Sequence, residues 1–460
     1  MQVRRDVIGE SLSSCNRREE AEERRSENRT LGSFRRKSTN GVFGVYGPKR
    51  GPSAFAEVPG VIVRAFGSPV YMVAGWPPQA RSTTPDAALL TPFHGDMLAN
   101  TIVNLQGIMG FFSFARFFAL VALLPFLVNA AAECRPSLPL PYRVLHQFPD
   151  PTYLQSLYVR SNGDILLTTA WPKGTIYYVS GPTTKSPKVT QVYQFDPEVA
   201  NVTTSIIETR PDVYAFFAGQ QVHLGIGING TFGVWELDLR PTRRRLNPGK
   251  AIVRELVHIP NGGLLSGLDV VPDDPSTLLV ADSTVGVVWH VDTVARKYKL
   301  GIQDPGMPGP PWAATQFGID GLQYHKGYLY WTNSFEARIY RIRMTRKGFA
   351  APGAKGELFK EVRSFFLDNF TFGPRNSDTM WVATNADNRL ITVSPDGNVT
   401  VVLGEPDELT VSGVVQPAFG KLPGDTNTMY AITSGAFNFP INGTVTEGGK
   451  LIAVDTRGYC

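Results

Sequence analysis

Six segments of this chain follow one plan, and that repetition limits the fold more than any other feature. Each has a short apolar strand, a turn, a second apolar strand ending in small or polar residues, and a third strand. The segments read LQSLYVRSNGDILLTTAWPKGTIYYVS, TTSIIETRPDVYAFFAGQQ…GTFGVWELDL, LSGLDVVPDDPSTLLVADSTVGVVWHVD, IDGLQYHKGYLYWTNSFEARIYRIRM, LDNFTFGPRNSDTMWVATNADNRLITVSPDG and VSGVVQPAFGKLPGDTNTMYAITSG…GGKLIAVDT. They begin near Gln155, Thr203, Ser266, Asp320, Asp368 and Ser412, about 51 residues apart on average. Strands of five to seven residues at that period, separated by Asn-Gly, Asp-Gly and Asp-Asp-Pro turns, predict the blades of a propeller. No 3.6-residue apolar periodicity runs far enough after Pro136 to suggest a long helix. The expected fold class is therefore all-β, a six-bladed β-propeller.

The six segments leave a long N-terminal region unexplained. Residues 109–132 contain Arg116, the apolar run Phe117–Val128 and the small residues Ala130, Ala131 and Ala132, which is the order of a secretory signal peptide. Its apolar core is too short to span a bilayer comfortably, so no stable membrane insertion is expected once it is cleaved. Residues 1–108, with RREEAEERRSENR and a Pro/Gly-rich stretch, read as a disordered extension or a gene-model artefact, translation then starting at Met97 or Met109. The alternative is a signal-anchored chain with a cytosolic tail. Residues 133–460 form the propeller. The extension and signal hold 15 of the 45 Lys and Arg and 10 of the 40 Asp and Glu, which leaves the propeller balanced at 30 of each. A neutral domain gives nucleic acid no electrostatic purchase.

Export agrees with two other features. Asn-x-Ser/Thr sequons at Asn201, Asn229, Asn369, Asn398 and Asn442 are candidate glycosylation sites. After signal cleavage the remaining cysteines are Cys134 and Cys460, at opposite ends of the mature chain. They suggest one disulfide joining the first and last blades; two unpaired thiols are the other reading. The expected location is the secretory pathway or the exterior.

In a propeller the first strands surround a central channel, so Gln155, Thr203, Ser266, Asp320, Asp368 and Ser412 are expected near one mouth. The second strands end there with Thr169, Trp171, Ala218, Asp282, Ser283, Asn333, Ser334, Asn385 and Ser434. The plain reading is that these side chains satisfy backbone groups at crowded strand ends. As a set they also mark the expected pocket.

SGLDVV, IDGLQY and the repeated strand plan resemble the SMP-30/gluconolactonase/luciferin-regenerating family, TolB-like six-bladed propellers, over about residues 145–455. That resemblance implies lactone hydrolysis at a divalent metal held by a Glu, two Asn and an Asp. Aligned by blade, those places hold Gln155, Thr203, Ser266 and Asp320, so if a metal binds, Asp320 is its carboxylate. Asp282 and Asp368 are the nearest substitutes for the missing charge. The signal peptide, sequons, terminal cysteines and metal-poor channel resemble more closely the secreted-type propellers of fungal secondary-metabolite clusters, including the hetero-Diels–Alderases of tropolone–sesquiterpenoid biosynthesis. This second resemblance implies an enzyme, working with no cofactor, that joins an o-quinone methide to a polyene such as humulene. A cycloaddition needs two apolar reactants held in register and gains from a hydrogen-bond donor on the heterodiene oxygen.

Candidate donors are Asn333, Gln155, Thr203 and Ser434. Candidate substrate contacts are Trp171, Ser266, Asp282, Trp312, Phe317, Asp320, Trp331 and Phe437, with Phe439 close by. Residues Pro305 to Phe317, PGMPGPPWAATQF, read as a lid-like loop carrying Trp312. No His-Glu-x-x-His, Gly-x-Ser-x-Gly or zinc-spaced Cys pattern occurs after the signal. The expected partners are apolar small molecules. A metal-dependent lactonase and a non-catalytic binding propeller are the competing readings.

Overall fold

The computed structural model describes residues 137–242, 247–313 and 315–459. The extension, the signal segment, Cys134 and Cys460 lie outside the described residues. Six four-stranded antiparallel sheets follow in sequence, as the repeat predicts. Blade 1 consists of β2 (Tyr153–Val159), β3 (Ile165–Trp171), β4 (Thr175–Ser180) and β5 (Lys188–Gln194). Blade 2 has β6 (Val202–Arg210), β7 (Val213–Gly219), β10 (Gly233–Asp238) and β11 (Ile252–His258), with a small hairpin, β8 (Gln221–His223) and β9 (Ile226–Gly227), inserted after β7. Blade 3 runs through β12 (Leu265–Val271), β13 (Asp274–Asp282), β14 (Val287–Asp292) and β15 (Lys297–Ile302). Blade 4 comprises β16 (Ile319–His325), β17 (Tyr328–Asn333), β18 (Arg338–Arg343) and β19 (Glu357–Glu361). In blade 5 the strands are β20 (Phe370–Phe372), β21 (Met380–Ala383), β22 (Leu390–Val393) and β23 (Val399–Leu403). Blade 6 is β24 (Val414–Phe419), β25 (Thr428–Thr433), β26 (Lys450–Asp455) and, as its outer strand, β1 (Tyr142–Gln147).

The ring is closed by that last pairing. β1, from the start of the propeller, lies antiparallel to β26 from its end, with Tyr142 opposite Val454 and Gln147 opposite Lys450. This pairing joins the last blade to the first strand of the propeller through backbone hydrogen bonds.

Position in the blade explains composition. Second strands are covered by neighbouring blades on both faces, so β3 (ILLTTAW) and β7 (VYAFFAG) are apolar almost throughout and buried. Outer strands meet water on one side, and β5 (KVTQVYQ) and β19 (ELFKE) are mostly polar and partly exposed. Hairpins follow local turn chemistry: Lys326 and Gly327, at φ 47° and 87°, make the two-residue turn joining β16 to β17.

The inner strands are tied blade to blade around the channel. Thr204 Oγ1 donates to Leu265 O at 2.7 Å, Ser283 Oγ to Ile319 O at 2.6 Å, and Thr332 Oγ1 to Asp368 O at 3.0 Å. Asn369 N donates to Val415 O at 3.1 Å, while Gln416 Oε1 accepts from Ser156 Oγ at 2.7 Å and Leu157 N at 3.0 Å. These bonds satisfy the crowded polar groups that a closed ring would otherwise strand.

Among the sequons, Asn229, Asn398 and Asn442 are exposed. Asn369 is 7% exposed, with Nδ2 donating to Asp368 Oδ1, and is removed from the candidate glycosylation sites because a glycan has no room there. Asn201 is half-buried, and its amide pairs with the Gln221 backbone on both sides. No helix among the described residues is long and apolar enough to cross a membrane.

Candidate active site at one end of the channel

The strand register assigns each residue to an end of the channel. Tyr153 pairs with Trp171 at one end of blade 1 and Val159 with Ile165 at the other. Near the first end, the β2–β3, β6–β7, β12–β13, β16–β17 and β24–β25 ladders all carry a register shift. Bulges of this kind re-aim side chains, and here they fall at Gln155, Ser205, Ser266-Gly267, Asp320-Gly321 and Val415.

A polar floor lies at this end. Asp320 and Asp368, from blades 4 and 5, are buried and interact directly. Asp320 Oδ2 accepts from Ser334 Oγ at 3.1 Å, while Oδ1 has no hydrogen bond of regular geometry. Asp368 Oδ1 accepts from Asn369 N at 2.9 Å and Oδ2 from Asn385 Nδ2 at 2.7 Å. Asn385, held at φ 45°, also donates to Tyr153 Oη at 3.1 Å, so the Tyr153 phenol reaches from blade 1 to blade 5. Burial pushes the Asp320 carboxyl up to about 6. Burial first, and then the Asp320 charge, push Asp368 well above the usual carboxylate range. Burial, followed by the Asp368 charge, raises Tyr153 and keeps its phenol neutral. Ser266 Oγ lies 2.6 Å from Ser283 Oγ beside this pair, and Ser434 Oγ is buried next to Tyr153 without a regular partner.

Gln155 stands apart from this closed set. It is the extra residue of its bulge, it is half-buried, and its amide makes no hydrogen bond among the described residues.

Several expectations change. Thr203 is two residues out of step: its Oγ1 donates to Thr169 O at 3.0 Å inside the blade packing, and Ser205, the extra residue of the β6–β7 bulge, occupies the place equivalent to Gln155. Asn333 is buried and donates to Gly306 O at 3.2 Å and Pro308 O at 2.8 Å, so it anchors the Pro305–Phe317 loop and offers no donor to a ligand. Asp282 is spent on a turn, accepting from Gly263 N at 2.9 Å, Val285 N at 3.0 Å and Trp289 Nε1 at 3.0 Å. Trp331 is buried between blades, stacked on Tyr340 at 5.6 Å with Nε1 donating to Gly306 O at 3.0 Å.

The other aromatics gather at the mouth. Trp312, 66% exposed, meets Phe335 edge-on at 6.4 Å. Phe335 also contacts Phe317 at 6.4 Å, Phe365 at 6.2 Å and Phe366 at 5.1 Å, and Phe439 closes on Phe365 at 5.5 Å. Phe437, from the same loop as Phe439, stacks on Trp171 at 6.2 Å with 25° between the ring planes. The arc thus draws on blade 1, blade 6, the loop between blades 4 and 5, and the loop between blades 3 and 4. On the blade 2 side the β8–β9 insertion exposes Val222, Ile226 and Ile228. Phe335, Phe365 and Phe366 were not anticipated from the sequence.

The opposite end carries a buried cation with several side-chain partners. Arg160 Nε donates to Tyr214 Oη at 2.7 Å, and its remaining nitrogens bond Tyr178 and Asp212.

The residues present do not fit the cation that the lactonase resemblance implies. Three of the four places lack charge, Thr203 is turned away, and Asn385 presents its N–H to Asp368. No group of three His, Cys, Asp or Glu is gathered among the described residues.

No protein-family model matches the chain. A protein of Phoma sp, provisionally named a hetero-Diels–Alderase, is 29% identical over 318 residues, covering 64% of this chain and 87% of its own. A second, from Sarocladium schorii and named in the same way, is 27% identical over 350 residues, covering 70% and 85%. Among solved structures, a luciferin-regenerating enzyme superposes with a TM-score of 0.50 at 13% identity, covering 69% of this chain and 96% of that one. The structural likeness supports the propeller fold alone.

Proposed function

We propose that this protein is an enzyme of secondary metabolism, of the hetero-Diels–Alderase type, joining a tropolone-type o-quinone methide to a sesquiterpene polyene at the aromatic mouth. The observation that carries the reading is an unengaged amide, Gln155, at the same end of the channel as two groups of partly exposed rings, Trp171 with Phe437 and Phe335 with its neighbours. The names of the two relatives support the same class of reaction.

In the cycloaddition one C–O and one C–C bond form as π-bonds of the two reactants are consumed. No atom leaves, and no proton or electron pair is passed to the protein. The chain therefore has to bind, orient and polarise. The aromatic arc removes water from both reactants and holds them together, the source of most of the rate gain in such a step. The Gln155 amide donates to the heterodiene oxygen, where negative charge grows in the transition state. Asp320, Asp368, Asn385 and Tyr153 form a rigid floor beneath it. As written, the reaction requires no cofactor. We also propose that residues 109–132 direct the chain into the secretory pathway, with glycans on the exposed sequons.

The test is incubation of the full chain with humulene and an o-quinone methide generated in place, with product separated by chiral chromatography and mass spectrometry. One stereoisomer of summed mass, formed faster than without protein, supports the reading. The same isomer mixture and rate with and without protein contradicts it and leaves the propeller a binding module.

A further inference from the structure

We infer that the mouth is divided, with Trp171 and Phe437 taking the flat conjugated ring and Phe335 taking the polyene. The inference rests on the proposed function and assigns each reactant a place in that site.

The two aromatic groups differ in geometry. Trp171 and Phe437 present near-parallel faces, 25° apart with centroids at 6.2 Å, and Trp171 is 40% exposed. Parallel faces favour a planar π-system, which gains from offset stacking. Gln155 lies on β2, the strand paired with the one that carries Trp171, so a ring docked there brings its carbonyl oxygen toward the free amide. Around Phe335 the rings meet mostly edge-on, at 82° to Trp312, 88° to Phe317, 88° to Phe365 and 90° to Phe366. Such a corrugated wall offers no slot for a flat ring but fits the methyl-studded, puckered surface of a cyclic polyene. The blade 6 loop carries both Phe437 and Phe439 and so joins the two halves.

The inference is tested by binding alone, which separates its failure from a failure of the proposed reaction. Calorimetry of the full chain with tropolone, and separately with humulene, gives two dissociation constants for each variant. Trp171→Ala is expected to weaken tropolone about tenfold and leave humulene within about twofold, a tenfold change being about 1.4 kcal/mol. Phe335→Ala is expected to do the reverse. Trp171→Tyr and Phe335→Leu keep ring or bulk and are expected to retain most affinity, which guards against misfolding as the cause. If both alanine variants weaken both ligands alike, or neither ligand, or if the wild-type chain binds neither, the division is wrong. Selective losses without any cycloadduct would uphold the division and overturn the reaction.

Discussion

The two ends of the channel are built from the same strands and treat polar groups in opposite ways. At the Arg160 end, a buried guanidinium is shared among Tyr178, Tyr214 and Asp212. At the Gln155 end, Asp320 Oδ1 and Ser434 Oγ are buried without regular partners, an amide is unengaged, and large rings face water. A fold selected for stability alone would finish both ends alike. The contrast teaches that the same strands give a buried charge several side-chain partners at one end and leave polar atoms unsatisfied at the other, which is the usual cost of a site.

The largest expected effect lies at the satisfied end. Arg160→Ala removes the cation shared by the buried Tyr178 and Tyr214 phenols and the half-buried Asp212 and should cost about 3–5 kcal/mol of stability. A matching fall in denaturation midpoint, with activity per folded molecule unchanged, is the expected result. Loss of activity without loss of stability would break the comparison.

The floor gives the next effect, with a pH signature. The folded-state value for Asp320, about 6, lies above the roughly 4 of an unfolded carboxylate. Its contribution to stability is therefore present below about pH 4 and is lost as pH rises through 6. Asp320→Asn removes the carboxyl and supplies an N–H to Asp368, so it should stabilise the protein at pH 7 by about 2 kcal/mol and flatten the melting profile between pH 4 and 7. A steeper profile would mean that the Asp320 carboxylate is stabilised by a charge not accounted for here.

Smaller effects test the reassigned residues. Asn333→Ala should cost about 1–2 kcal/mol, because the Pro308 carbonyl loses its donor and the Gly306 carbonyl keeps only Trp331 Nε1, and should speed proteolysis of the Pro305–Phe317 loop. Thr203→Val should cost about 1 kcal/mol with turnover intact, whereas a direct catalytic part for Thr203 would lower turnover.

Legibility in the sequence followed burial. Second strands, buried on both faces, are continuous apolar runs, so six blades were readable from them and their turns. The outer strands were not all readable: β5 and β19 are mostly polar, and β1 lies far from its partner in sequence. Blade alignment puts Gln155 and Asp320 at the mouth, the end of a second strand adds Trp171, and loop sequences rich in aromatics suggest Trp312, Phe317 and Phe437. Thr203 is expected there too, but TTSIIE offers three hydroxyl residues in a row and only the bulge selects Ser205. Trp331 was misplaced because a strand residue two positions from the mouth turns into the blade packing. Phe335, Phe365 and Phe366 sit in NSFEA and RSFFLDN, loops with no periodicity, and their one signal was aromatics in otherwise polar turns.

The central claim is that the unsatisfied end polarises and aligns two reactants, and Gln155 tests it most directly. The measurement is the initial rate and enantiomeric excess of cycloadduct formation by the wild-type chain and by Gln155→Leu, at matched folded concentration. The account predicts one enantiomer from the wild type and a rate lowered by about one to two orders of magnitude in the variant, as for loss of a single transition-state donor. An unchanged rate in Gln155→Leu, or racemic product from the wild type, would contradict it.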